Sequence, residues 1–205
     1  MNHNSEPTTY FTIDRASAAE FKDRGSKFLA YAYPIESVAD FKKILQQLKK
    51  EHPKAVHHCF AYRLGTDENS FRASDDGEPS GTAGRPILGQ IDSRQLTNLL
   101  IVVVRYFGGT LLGVPGLINA YKMGASMALQ LTPVIQRPVV TKCDIQFDYT
   151  RLNEVMQIMK SGRCDILSRD MQLFCRITAA VPRAHLAEVV AALGELNGVE
   201  LSLIA

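Results

Sequence analysis

The sequence has little net charge, and it lacks most of the patterns that announce a familiar chemistry. Lys and Arg number 23 against 21 Asp and Glu, leaving +2 at pH 7. Overall basicity therefore gives no case for nucleic acid, and any such binding must rest on a local patch. The four cysteines, Cys59, Cys143, Cys164 and Cys175, show no CxxC spacing. They read as reduced thiols, not as a zinc site or a disulfide framework. Residues 1–9 are polar and lack the basic start and apolar run of a signal peptide. No apolar run approaches the roughly 20 residues needed to span a bilayer. A soluble, cytoplasmic protein without membrane contact is expected. GxSxG is absent, which removes the usual support for Ser-His-Asp catalysis. GxxxxGK[ST] is absent too, Gly113-Val114-Pro115-Gly116 is not GxGxxG, and no acidic run has the ligand series of an EF-hand.

What is present is a chain of 205 residues that is 46% apolar and 21% charged, enough for one large packed domain or two small ones and too apolar for a disordered protein. It is organised around residues 72–117, where two glycine-rich loops flank an apolar strand. The first loop runs from Ser74-Asp75-Asp76-Gly77-Glu78-Pro79 to Gly84-Arg85-Pro86. The second runs from Arg105-Tyr106-Phe107-Gly108-Gly109 to Gly116. Residues 99–104 between them, Leu-Leu-Ile-Val-Val-Val, are apolar throughout, as in a strand buried on both faces.

Before this stretch, residues 1–9 suggest a disordered tail and residues 11–13 an edge strand. Residues 25–33 suit a strand ended by Pro34. Ser37 is placed to cap a helix with Val38, Phe41, Ile44, Leu45 and Leu48 at helical spacing, stopped by Pro53. Residues 56–64 read as a strand, 86–91 as a short helix, and 117–129 as a helix with an apolar side ended by Pro133. The proline-bounded segment 131–138 is the expected domain boundary, giving domains at 1–135 and 138–205. In the second, residues 139–147 alternate as a half-buried strand. Helices follow around 152–159 and 186–193, with strands at 164–167, 173–178 and 199–204 and a turn at 168–172. That β-α-β-β-α-β order is the ferredoxin-like unit.

Three groups of residues could carry chemistry. Asp75, Asp76 and Glu78 are oxygen ligands packed closely enough to hold Mg²⁺, although aspartates in such a turn more often bond backbone amides. Gly108, Gly109, Gly113 and Gly116 join a strand to a helix start, a geometry that can cradle an anion, with Arg85, Arg105 and Lys122 as the nearby cations. A tight turn leading into a helix is the plainer account. Arg85, Arg105, Tyr106 and Lys142 are candidates for RNA contact, with at most one of Tyr106 and Phe107 free to stack because strand neighbours point apart. His57-His58-Cys59 suggests a metal, but only His57 and Cys59 share a face, and zinc would need two further groups.

His57-His58-Cys59, Ser74-Asp75-Asp76-Gly77-Glu78-Pro79, Gly81-Thr82-Ala83-Gly84, Val102-Val103-Val104-Arg105-Tyr106-Phe107-Gly108-Gly109 and Leu112-Gly113 together resemble the Impact family over roughly residues 20–130. The remainder resembles the small domain that accompanies it in bacterial, YigZ-like members. The resemblance implies an α+β architecture: a ribosomal protein S5 domain 2-like N-terminal domain followed by a ferredoxin-like βαββαβ C-terminal domain. It also implies a non-enzymatic, translation-linked regulator that contacts RNA, the ribosome or a protein partner, since eukaryotic members restrain activation of an initiation-factor kinase. It transfers no catalytic residues and no cofactor. The competing expectation is a metal-assisted enzyme acting on a phosphorylated small molecule, with the acidic loop on Mg²⁺ and the second glycine loop on phosphate.

Overall fold

The computed structural model describes residues 7–66, 70–172 and 174–204, which form two compact units. The first comprises Tyr10–Arg137. Its strands are β1 (Thr9–Ile13), β2 (Ser17–Asp23), β3 (Ser26–Pro34), β4 (His57–Arg63), β5 (Phe71–Ser74), β6 (Leu99–Tyr106) and β7 (Val134–Pro138). Its helices are α1 (Val38–Glu51), α2 (Gly84–Asp92) and α3 (Gly113–Gln130). Five strands make one antiparallel sheet in the order β2-β3-β6-β4-β5.

The unbroken apolar run of β6 sits at the centre of this sheet because both faces are covered. Leu99, Ile101 and Val103 join the cluster that takes in α2 and α3, with Ile87, Ile91, Ala120, Tyr121 and Ala125. Leu100, Val102 and Val104 join the opposite cluster with Phe41 and Leu48 of α1. Small residues allow α3 to lie close to the sheet: a Cβ on Gly124 would come 3.5 Å from that of Ala30. Ser37 caps α1, its Oγ accepting from the Asp40 amide, and Lys49 and Lys50 occupy the last turn, where they suit the helix dipole.

Two expectations change here, and one segment gains an element. Thr9, read as part of a disordered tail, begins β1; residues 1–6 lie outside the described residues. The segment 131–138, expected as the domain boundary, contains β7, which pairs with β1. The prolines bound a short strand there. The N-terminal limit differs as well, because residues 7–9 group with the second unit through hydrogen bonds such as that from Val139 N to Thr8 O, 2.8 Å.

From Pro138 onward the second unit runs β8 (Val140–Asp148), α4 (Leu152–Ser161), β9 (Asp165–Met171), β10 (Phe174–Pro182), α5 (Leu186–Gly194) and β11 (Val199–Ile204), a β-α-β-β-α-β order. The antiparallel sheet is ordered β11-β8-β10-β9. Cys143, Ile145 and Phe147 of β8 pack with Ile177 of β10, Val155 and Met159 of α4, and Val189 and Leu193 of α5. The other face carries Lys142, Gln146 and Arg176, all exposed. The turn expected at 168–172 is shorter, since β9 continues to Met171; Leu173 lies outside the described residues. No described helix is long and apolar enough to cross a membrane.

Candidate functional site

The two glycine loops and the start of β4 meet at one hollow in the first unit, of about 410 Å³. Its floor is polar and its walls are apolar. Arg105, at the end of β6, is only 5% exposed. Its Nη1 donates to Glu78 Oε1 at 2.6 Å and its Nη2 to Ser26 Oγ at 3.3 Å, while Nε finds no hydrogen-bond partner among the described residues. Tyr121, from α3, also donates to Glu78 Oε1, at 2.7 Å. The guanidinium carbon lies 5.5 Å from the Phe28 ring centre and 5.7 Å from that of Phe107, within cation–π range of both. A charge pair this buried is held by its hydrogen bonds, and removing one partner strands the other.

His57 closes the floor. Its Nδ1 lies 2.7 Å from the Asp76 carbonyl oxygen, which can only accept, so Nδ1 carries the proton and donates. In the neutral ring Nε2 is then an acceptor, 3.8 Å from Glu78 Oε1. Phe107, Leu111 and Val114 form the rim, with Leu111 82% exposed and Phe107 49% exposed.

The acidic loop is built to hold the backbone. Asp75 Oδ1 accepts from the amides of Ala83 and Gly84 at 3.0 and 2.8 Å, and Oδ2 from that of Gly81 at 2.8 Å. It thereby caps α2, which has no side-chain cap of its own. Burial pushes the Asp75 carboxyl up, but these three amides outweigh it and hold the group below the usual carboxylate range. Asp76 accepts from the His58 amide at 2.7 Å and lies 3.6 Å from Lys49. Glu78 turns instead to Arg105 and Tyr121. The expected Mg²⁺ set of Asp75, Asp76 and Glu78 is therefore not assembled: each carboxylate serves a different partner, and no cluster of three His, Cys, Asp or Glu among the described residues could hold a metal.

The anion cradle is not assembled as expected either. The Gly108 amide donates to Ser26 Oγ at 3.2 Å. Gly108 is glycine because a Cβ there would fall 1.9 Å from the Gly25 carbonyl carbon. Gly109 and Gly113 have φ of +86° and +69°, as the turn requires. Gly113 and Gly116 lie in the first turns of α3, which starts earlier than its apolar spacing suggested. Of the expected cations, Arg85 and Lys122 are exposed, whereas Arg105 is consumed by Glu78. Tyr106 is not a free stacking face: its hydroxyl meets His52 Nδ1 at 2.9 Å and it packs with the α1-side cluster. The exposed aromatic is its neighbour Phe107. Lys142 is exposed on the second unit.

Cys59 shares the His57 face of β4 and lies 2.9 Å from the Asp75 carbonyl oxygen and 3.4 Å from the Tyr121 hydroxyl. Burial pushes its thiol, and the Tyr121 hydroxyl, well above their ordinary values, so neither is poised as a nucleophile. Burial lowers His58, whose Nε2 is unpartnered among the described residues. Sequence reasoning missed the role of Tyr121 and the pairing of Glu78 with Arg105. The only signal was a lone polar residue within an apolar helix face and a lone cation ending an apolar strand.

A sheet-and-helix unit whose hollow has a polar floor and apolar walls, followed by a second α+β unit, defines a two-unit α+β protein. Residues 24–129 match the model of the Impact N-terminal domain. The chain is 35% identical to the IMPACT family member YigZ of Escherichia coli over 88% of its own length and 89% of the relative's. It is 39% identical to an IMPACT family member of Haemophilus influenzae over 80% of each, and 37% identical to YvyE of Bacillus subtilis over 76% and 71%. A crystal structure described as that of a hypothetical protein covers 97% of the chain and 98% of its own at 30% identity and a TM-score of 0.75. The chain belongs to the Impact family. Of the stretches that carried the resemblance in the sequence, those at His57, Glu78-Pro79, Arg105 and Phe107, and Leu112-Gly113 reach the hollow.

Proposed function

We propose that the protein is a translation-linked regulator that acts by binding, not by catalysis, and that RNA or the ribosome is what it contacts. The observation that carries this is membership of the Impact family over most of the chain, with the link to translation coming from what the resemblance implies for eukaryotic members. The geometry supports binding over catalysis: Arg105, Glu78 and Tyr121 are tied together by hydrogen bonds, and Asp75 is spent on the amides at the start of α2. The family resemblance also supports naming the first unit S5 domain 2-like, while the β-α-β-β-α-β order and the β11-β8-β10-β9 arrangement support naming the second ferredoxin-like. The test is co-sedimentation with ribosomes from a cell extract at rising salt. Phosphate contacts predict association that weakens steeply as salt rises, because each neutralised phosphate releases counterions. Association that persists or strengthens with salt would point to an apolar contact with a protein. No association at low salt would overturn the reading.

A further inference from the structure

We propose that the hollow over Arg105 and Glu78 receives a single unpaired guanine base of an RNA strand. The proposal rests on the RNA reading above and adds its site. The pattern of open hydrogen-bonding groups selects the ligand. Glu78 Oε1 is filled by Arg105 and Tyr121, but Glu78 Oε2 accepts no hydrogen bond from any described residue. With His57 Nδ1 committed to the Asp76 carbonyl, the neutral ring turns Nε2, a second acceptor, toward the same carboxylate. The open Glu78 Oε2 and His57 Nε2, which lies 3.8 Å from the filled Oε1 of the same carboxylate, are two neighbouring acceptors that call for a ligand bringing adjacent donors.

A phosphate or carboxylate would meet both acceptors and be repelled. An ammonium or guanidinium would be placed beside Arg105, which already holds Glu78 at 2.6 Å. A neutral, flat group with two neighbouring N–H donors avoids both conflicts. Among the bases, guanine carries such a pair on its Watson–Crick edge, from its ring N–H and its amino group. The walls fit the rest of the base. Phe107 is half exposed and backed by the Arg105 guanidinium, which makes it a stacking face for a π-system. Leu111 and Val114 complete an apolar enclosure of a size that holds one base. An unstacked base read on its Watson–Crick edge and stacked on an aromatic ring is the general mode of single-stranded RNA recognition.

The test compares labelled RNA octamers by fluorescence anisotropy at low salt: all-uridine, one central guanosine, and one central inosine, which lacks the amino group. The guanosine octamer should bind about 5- to 150-fold more tightly than all-uridine, the range a bidentate base contact gives, with inosine between. Phe107→Ala should weaken the guanosine octamer by about 5- to 150-fold while leaving the all-uridine octamer nearly unchanged. Glu78→Gln should erase the preference for guanosine. Because that variant disturbs a buried pair, its folding is checked by circular dichroism, and Phe107→Ala carries the test if it fails. Equal binding of the three octamers would overturn the guanine pocket and leave the RNA reading standing. Binding of none would overturn both.

Discussion

The sheets of the two units differ in how many faces they bury, and that difference decides where polar chemistry can sit. In the first unit β6 is covered by α2 and α3 on one side and by α1 on the other. Arg105 at its end is therefore driven to find Glu78, which Tyr121 also holds, and the resulting network forms the floor of a hollow. In the second unit the hydrophobic core packs against one face of the sheet. The ion pair there, Arg176 with Asp144 at 2.6 Å, leaves the arginine side chain 61% exposed. In the first pair both partners are buried; in the second the buried Asp144 is met by an arginine that keeps contact with water.

The sharpest way to break this comparison is to remove one partner from each pair. Glu78→Ala should cost about 3–5 kcal/mol, because Arg105 is stranded away from water. Asp144→Ala should cost about 0–1 kcal/mol, because Arg176 can turn to solvent. Urea unfolding of the two variants measures both, and equal losses would refute the distinction.

Neighbouring residues on the central strands give the next largest effect. Leu100→Ala and Ile101→Ala point to opposite faces of β6, yet each should cost about 2–5 kcal/mol. On β8 only one of two neighbours should be sensitive: Ile145→Ala loses about 2–5 kcal/mol, whereas Gln146→Ala stays within about 0.5 kcal/mol. Thermal melts of the four variants check the pattern.

Asp75 sharpens the comparison through pH. Its carboxyl is held below the ordinary aspartate value, so its contribution is fully present above that value and is lost as pH falls through the lowered one. The wild type should therefore lose stability below about pH 4. Asp75→Asn should lose about 1–3 kcal/mol at neutral pH and show a flatter acid limb, read from melting temperatures at pH 3–7. The smallest effect belongs to the rim: Phe107→Ala should change stability by no more than about 0.5 kcal/mol, because the ring is half exposed.

Much of the fold was legible. The unbroken run at 99–104, the alternation at 139–147 and Ser37 before a helical stripe each reflect local physics that acts wherever the segment ends up. The strands β2 and β5 were not seen. β2 reads Ser-Ala-Ala-Glu-Phe-Lys-Asp, small and charged as an edge strand can be, and β5 has only four residues. The stretches that form the hollow were legible as motifs, but its chemistry was not. Asp75 caps a helix nine residues away, and no local pattern marks that. Arg105 looked like a surface cation because a charge after an apolar run usually ends a strand in water; here Glu78 follows it inward. Strand alternation correctly separated Tyr106 from Phe107, yet only the packing of His52 against Tyr106 decides which ring is exposed.

The pairing of β1 with β7 has a consequence for synthesis. Roughly 120 residues separate Ile13 from Val134, so on a ribosome adding about 5–20 residues per second the first strand waits about 6–24 s for its partner. During most of that interval β1 lacks its strand partner; the segment at 96–98 arrives earlier and offers a bridge at Phe11 and hydrogen bonds to Phe11 and Thr12. During synthesis β1 is thus an open strand, a template on which another nascent copy could pair. Its first unit can close fully only once the segment leading into the second has begun to emerge.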